Sequence, residues 1–303
     1  MTIAEAVVAE AAEAARPQSC ASGYQEDPLS GAQLGAAPRL ATASWLALTV
    51  AAVELKESAL NFNKPRARMS GTSTPRYGTP NWEMIGNWLE LPAEQDGPFW
   101  AVNLMDYREL ADYADGRETT LTGREADDVY APLGPLAEIG AMPAFSADVI
   151  DQPLGTPSYD RVAIVRYPSR AKFFEMQRRE DFLELHVHKD AGMASTIVFA
   201  AYPLHASELP RGGAHVLRVR RFAEGQKPAA DPTGVTPVAH FEIEGVIVGD
   251  ERRWDDARFD RVDEASLELL KETDGIEEQI MIVMGPTEFD ELAASVATAR
   301  TAD

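Results

Sequence analysis

From Phe99 onward, the apolar and polar positions of this chain settle into two alternating periods. FWAVNLMDY alternates and is rich in β-forming residues, which predicts a strand. TGREADDVYAPLGPLAEIGA changes to helical spacing. Thr122 is its candidate N-cap, Glu125 completes a capping box, and the apolar stripe runs to Gly140. AFSADVID and YDRVAIVRYP return to strand patterning. SRAKFFEMQRREDFLELHVHKDAG predicts one long helix from a Ser169 cap to Gly192, and STIVFAAYP a closing strand. Strand, helix, strand, strand, helix, strand is the split βαβ, ferredoxin-like order.

The rest of the chain repeats this order imperfectly. HVLRVRRF, PVAHFEIEGVIVGD and WDDARFDRV predict strands, DEASLELLKET a helix, EEQIMIVMGP a last strand and TEFDELAASVATA a trailing helix. Setting YDRVAIVRYPSRA against WDDARFDRVDEAS matches Tyr159 with Trp254, Asp160 with Asp255 and Arg166 with Arg261, all at an offset of 95 residues. Duplication is the simplest account. AEGQKPAADPTG stands where the first copy has its amphipathic helix, so that element is expected to be lost or reduced to a loop. The expected fold class is α+β: two tandem ferredoxin-like repeats fused in one chain, with antiparallel sheets and helices outside. If the two sheets face each other, their apolar faces bury one another, and one chain supplies what otherwise needs a dimer. The expected boundaries are an extension over 1–80, poorly ordered or loosely helical, a first repeat over 81–205 and a degenerate second repeat with a C-terminal helix over 206–303.

Before Met69 the pattern differs. TIAEAVVAEAAEAA predicts an Ala/Glu-rich helix, a turn-rich stretch follows, and LATASWLALTVAAV is too short for a membrane span and is followed at once by Glu54 and Lys56. An alternative is that Met69, opening MSGTSTPRYGTPNW, is the true start.

Composition narrows the partners. The chain has 303 residues, enough for each half to bury a core. A formal net charge of -21 argues against nucleic acid and anionic membrane surfaces, because such binders use Lys and Arg to release counterions. The single cysteine, Cys20, excludes an internal disulfide and every cysteine-based metal cluster, and fits a cytoplasmic location. Gly-rich phosphate loops, GxSxG elbows and HExxH motifs are absent from the sequence, which removes kinases, ordinary serine hydrolases and zinc proteases. The acidic runs ADDVY and GDERRWDDARFDR are interleaved with arginines and read as solvated ion pairs, so no metal site is expected.

PFWAVNLMDYRE, the TGREADDVYAPLGPLAEIGA helix and YDRVAIVRYPSRAKFFEMQRREDFLELHVHKDAG together resemble the small DUF1330-type proteins of the dimeric α+β barrel superfamily. The likeness covers roughly 98–203, and 213–285 only as a degenerate copy. The wider superfamily includes cofactor-free monooxygenases, muconolactone-type isomerases, haem-degrading enzymes and chlorite dismutase-like proteins. The resemblance implies a pocket between a sheet and its two helices, holding in many relatives a small hydrophobic or aromatic ligand. Fold alone does not choose among these reactions.

LELHVHKDAGM supplies the candidate chemistry. His186 and His188 are two residues apart, about 200° around a helix, so they cannot share a ligand while the helix continues, and at most one should point inward. Both could simply complement the negative helix end together with Lys189. Alternatively, one lines the pocket as a general base, or as an axial ligand if haem is present. Alternation of the first strand brings Asn103, as a hydrogen-bond donor to a carbonyl or oxyanion, and Trp100 toward the same space, depending on which face is buried. Tyr130 could orient a substrate or belong to the core. Arg166, repeated as Arg261, is expected to tie its strand to a neighbouring acid, or alternatively to grip a substrate carboxylate. The resulting expectation is a small-molecule enzyme without a tightly bound organic cofactor. It would perform isomerase or lyase proton transfer, or O₂-dependent oxidation of a small hydrophobic or aromatic substrate. His186 or His188 would act as base, with Asn103, Tyr130, Trp100 and Arg166 around the substrate. The alternatives are a non-catalytic ligand- or haem-binding protein and a duplication whose pocket is filled. A monomer suffices, and leftover sheet edges allow a homodimer.

Overall fold

Each alternating segment presents one apolar face to a shared interior, and in a computed structural model this closes the sheet. The structure describes residues 75–208, 212–227, 229–271 and 274–300. The expected N-terminal helix, the LATASWLALTVAAV run and the Met69 start lie outside them. The long strands are β2 (Phe99–Tyr107), β3 (Met142–Leu154), β4 (Arg161–Tyr167), β5 (Met193–Ala206), β6 (Ala214–Phe222), β7 (Val235–Gly249), β8 (Asp256–Val262) and β9 (Ile276–Asp290). They pair antiparallel in the circular order β2-β4-β3-β9-β6-β8-β7-β5, closing an eight-stranded barrel. A short β1 (Thr79–Pro80) adds to β7. The first half runs β5-β2-β4-β3 and the second β9-β6-β8-β7, so corresponding strands occupy corresponding places. The starts and ends of β4 and β8 also differ by the offset of 95 seen in the sequence. The sheets join edge to edge through β3–β9 and β5–β7, rather than stacking as two separate layers.

Eight strands leave an interior just wide enough for side chains to fill. Trp100, Leu104, Phe145, Phe199, Leu217, Phe241, Phe259 and Ile282 fill it. The helix α6 (Leu292–Arg300) packs against this core with Leu292, Val296 and Ala299, and the indole Nε1 of Trp100 donates to Ser295 Oγ at 2.9 Å.

On the outside, the two halves differ. The first half buries Phe99, Ala101 and Met105 of β2 beneath Trp88, Phe173 and Phe182. These three belong to helices α1 (Trp82–Glu90), α4 (Arg170–Gln177) and α5 (Glu180–Gly192). Among the described residues the second half has no covering helix of that kind. Outward Arg218 and Arg220 instead meet Asp260, Asp231 and Asp256, with His240 Nε2 also 2.9 Å from Asp256. Asp256 and Asp260 are buried, so these acids are not the solvated pairs expected from GDERRWDDARFDR.

Several local expectations are corrected. The helix expected over 122–140 is two, α2 (Gly123–Tyr130) and α3 (Leu133–Glu138), because Pro132 cannot continue the first. Its Thr122–Glu125 capping box is present. The Ser169 cap also forms, accepting from the Lys172 backbone N–H at 3.1 Å, but the long helix after it breaks at Arg178–Arg179 into α4 and α5. DEASLELLKET forms only short 3₁₀ turns, Glu264–Ser266 and Glu268–Lys271. TEFD continues β9 before α6 begins. Residues 76–80, assigned by sequence to the extension, are bound into the fold: Arg76 pairs with Asp190, Tyr77 is buried, and β1 joins the sheet. Among the described residues no helix is long and apolar enough to cross a membrane.

Candidate functional site

Helices α2 and α5 cross on the outer face of the first half, and the crossing is possible because two glycines meet there. A Cβ on Gly123 would lie 2.3 Å from Gly192 O, and one on Gly192 would lie 2.5 Å from Gly123 O. Close approach brings the end of α2 against the second half of α5. Tyr130 and His186 rings stand edge-on, 6.0 Å apart, and Phe182 lies 5.5 Å from the imidazole. His186 is buried, with its Nε2 2.9 Å from the Tyr77 hydroxyl, so the two share a proton.

Lys189 is one helical turn from His186 and is also buried. Its ammonium nitrogen lies 5.2 Å from the Tyr130 ring centre and 5.7 Å from that of Tyr77, within cation–π range of both. The described residues contain no carboxylate within ion-pair distance of it. Burial lowers its pKa, and Asp127 opposes this only in part. Burial, with a smaller contribution from the Lys189 charge, holds His186 far below the usual imidazole range and therefore neutral. Burial likewise pushes the Tyr130 phenol up, helped by Tyr167, Tyr77 and Asp127.

Asp127 is committed elsewhere. It accepts from the Tyr107 hydroxyl at 2.6 Å and from Arg161 at 3.4 Å, and Arg161 also reaches Asp128 and Asp148. The outer face therefore carries a run of groups, Tyr77–His186–Tyr130–Lys189, leading to the Asp127–Tyr107–Arg161 network. An imidazole held neutral and hydrogen-bonded to a phenol, beside a lysine whose pKa burial lowers, sets bases and a proton donor side by side.

The six sequence candidates separate onto different surfaces. His186, Tyr130 and Asn103 share the outer face, and Asn103 has the parity of Ala101 and Met105. Its amide donates to the carbonyls of Ala101 at 3.0 Å and Ala163 at 3.4 Å, which commits the amide N–H groups that were expected to face a substrate oxygen. His188 points elsewhere, its Nδ1 2.6 Å from the Tyr113 hydroxyl. Trp100 and Arg166 face the barrel interior. Trp100 and Asn103 are three residues apart on one strand and so lie on opposite faces, which corrects the expectation of a common space. The expected tie between Arg166 and a neighbouring acid is also corrected: inward parity takes it away from the surface acids, and it forms no ion pair among the described residues.

Sequence reasoning missed Lys189, Asp127 and Tyr77. The first two lay within reach, because Lys189 is three residues after His186 and Asp127 three before Tyr130. Tyr77 reaches His186 from 109 residues away, through a contact with β5 in which the Thr196 N–H donates to the Tyr77 carbonyl at 2.9 Å.

No family model matches the chain, and no curated protein does. Solved structures give partial likenesses. The RPA0582 protein of Rhodopseudomonas palustris, of unknown function, is 27% identical in its methylated form over 45% of this chain and 100% of its own, with a TM-score of 0.38. A proposed monooxygenase of Fusobacterium nucleatum, FN1347, is 8% identical over 62% of this chain and 91% of its own, with a TM-score of 0.36. DyPB from Rhodococcus jostii is 10% identical over 67% and 94%, with a TM-score of 0.30. At these TM-scores none of the three bears on the chemistry.

Proposed function

We propose that this protein is a cytoplasmic small-molecule enzyme, made of two ferredoxin-like repeats, whose α2–α5 face performs proton transfer of the isomerase or lyase kind on a small hydrophobic or aromatic substrate. The observation that carries this reading is Lys189: a buried amine of lowered pKa, without an ion-pair partner among the described residues, set between two phenols and a neutral imidazole. Burying a cation without a counter-charge costs stability, and such positions are retained where the group works. Lys189 in its neutral form is the base, the Tyr77–His186 pair accepts or returns the second proton, and Tyr130 orients the substrate ring. No tightly bound organic cofactor is required. Haem ligation draws less support, because His186 Nε2 is already engaged by Tyr77.

Competitive acylation of the amines across a pH series, read by peptide mass spectrometry, tests this. Lys189 should become reactive at lower pH than the other lysines, and a small aromatic carbonyl compound should protect it selectively. Labelling of Lys189 only in step with surface lysines refutes the assignment. Ultraviolet–visible titration with haem tests the alternative: a saturable Soret band lost in His186→Ala would replace the proton-transfer reading.

A further inference from the structure

One mouth of the barrel carries cations that the protein leaves unanswered. Arg166 on β4 and Arg261 on β8 hold corresponding places in strands on opposite walls, running in the same direction. Each follows the inward parity of its strand, after Val162 and Ile164 in one case and Ala257 and Phe259 in the other. Register sets Trp100 beside Arg166 and His215 beside Arg261. The Arg166 guanidinium carbon is 5.9 Å from the Trp100 ring centre.

Among the described residues neither arginine has a carboxylate within ion-pair distance. Arg261 donates from NH1 to the Gly213 carbonyl at 2.9 Å, and the Nε of each arginine is buried without a partner. His215 is 4% exposed, and neither of its ring nitrogens has a partner. Its ring lies 5.5 Å from Phe145 and 6.1 Å from Phe259. Phe259 meets Phe241, and Phe241 meets Trp100, so an aromatic floor joins the two arginine-bearing walls.

This is anomalous in a chain with 49 acidic and 28 basic residues. The buried arginines Arg161, Arg170, Arg218 and Arg220 meet carboxylates. Each guanidinium loses hydration without gaining a carboxylate, and burial lowers the pKa of both, a cost that a bound anion removes. Their planar forks match carboxylate and phosphate oxygens, and a neutral imidazole adds one donor and one acceptor. We propose that this mouth binds a small organic dianion, its charged oxygens held between Arg166 and Arg261, its apolar part on the aromatic floor, and His215 donating to it.

The site is on the opposite face of β2 from His186, so it stands independently of the proton-transfer reading. Calorimetric titration of the full chain with inorganic phosphate and with succinate, using uncharged dimethyl succinate as control, tests it. The expected result is saturable one-to-one binding of an anion, no binding of the ester, and a loss of more than about tenfold in each of Arg166→Gln and Arg261→Gln. Preference for phosphate identifies a phosphoryl ligand and preference for succinate a carboxylate, and either supports the site. The side-chain ¹H–¹⁵N signals of arginine in the unsubstituted protein give a second readout, in which two Nε–H resonances should move during titration. Absence of binding at about 10 mM, unchanged affinity in the folded double variant, or stationary arginine signals overturns the proposal.

Discussion

Gly123→Ala isolates the contact that assembles the outer-face groups. Position 123 opens α2, where helix propensity has little weight, so the effect is steric. A Cβ there would stand 2.3 Å from Gly192 O, 2.5 Å from Arg108 O and 2.7 Å from Arg108 N, against ordinary contacts of 3.4 Å or more. All three neighbours are backbone, so no rotamer change relieves the clash, and the helices must part by roughly 1 Å. Overpacking of this kind costs about 1–3 kcal/mol. Separation also strains two hydrogen bonds, Gly123 N–H to Arg108 O at 3.0 Å and Arg108 N–H to Gly192 O at 2.8 Å, each contributing about 1 kcal/mol. The expected loss is therefore about 3 kcal/mol in urea unfolding followed by circular dichroism. Gly86→Ala is the matched control. It lies within α1, a Cβ there meets nothing within 4 Å, and the change should stabilise by up to about 1 kcal/mol through helix propensity. Parting the helices should also move Tyr130 off Lys189 and return the Lys189 labelling profile toward that of surface lysines. Gly123→Ala unfolding within about 0.5 kcal/mol of the parent protein would refute the tight-crossing argument.

Two further substitutions probe the charged interior. Asp256→Asn leaves Arg220 buried without its carboxylate, after bonds of 2.9 and 2.5 Å, and should cost about 3–5 kcal/mol in the same unfolding assay, whereas a loss under about 1 kcal/mol would show the pair to be solvated. His215→Phe should flatten the acid limb of the stability curve. Burial, with Arg261 adding to it, pushes His215 down from 6.5 to about 3, so below pH 6.5 the unfolded chain binds a proton that the native protein refuses. Its contribution is complete above pH 6.5 and lost as the pH falls toward 3, a total of several kcal/mol at about 1.4 kcal/mol per pH unit. An unchanged acid limb in His215→Phe would show that the imidazole is not buried in the neutral form.

The strands, the Thr122 and Ser169 caps and the correspondence of β4 with β8 were legible in the sequence, because period-two alternation and capping chemistry act over a few residues. Local pattern also fixed that His186 and His188 diverge, since 200° around a helix is a property of spacing alone. Other features were decided only by tertiary structure. Closure of the barrel depends on the β3–β9 and β5–β7 pairings, which connect distant segments with no turn signal between them. DEASLELLKET has a helical pattern but takes 3₁₀ turns. Its Leu267 and Leu270 cover a small apolar patch of Val216, Val262, Met281 and Val283 on the outer face of the second half, and beside that patch Arg218 and Arg220 meet their carboxylates. Strand spacing does say that Trp100 and Asn103 face opposite ways, but which face is the barrel interior is settled only when all eight strands close around it. The same closure gives Lys189 its two phenols and leaves Arg166 and Arg261 facing each other's wall without acids. Charge compensation depends on which side chains meet in space, and this chain's acidic sequence gives no hint that Arg166 and Arg261 find no carboxylate among the described residues.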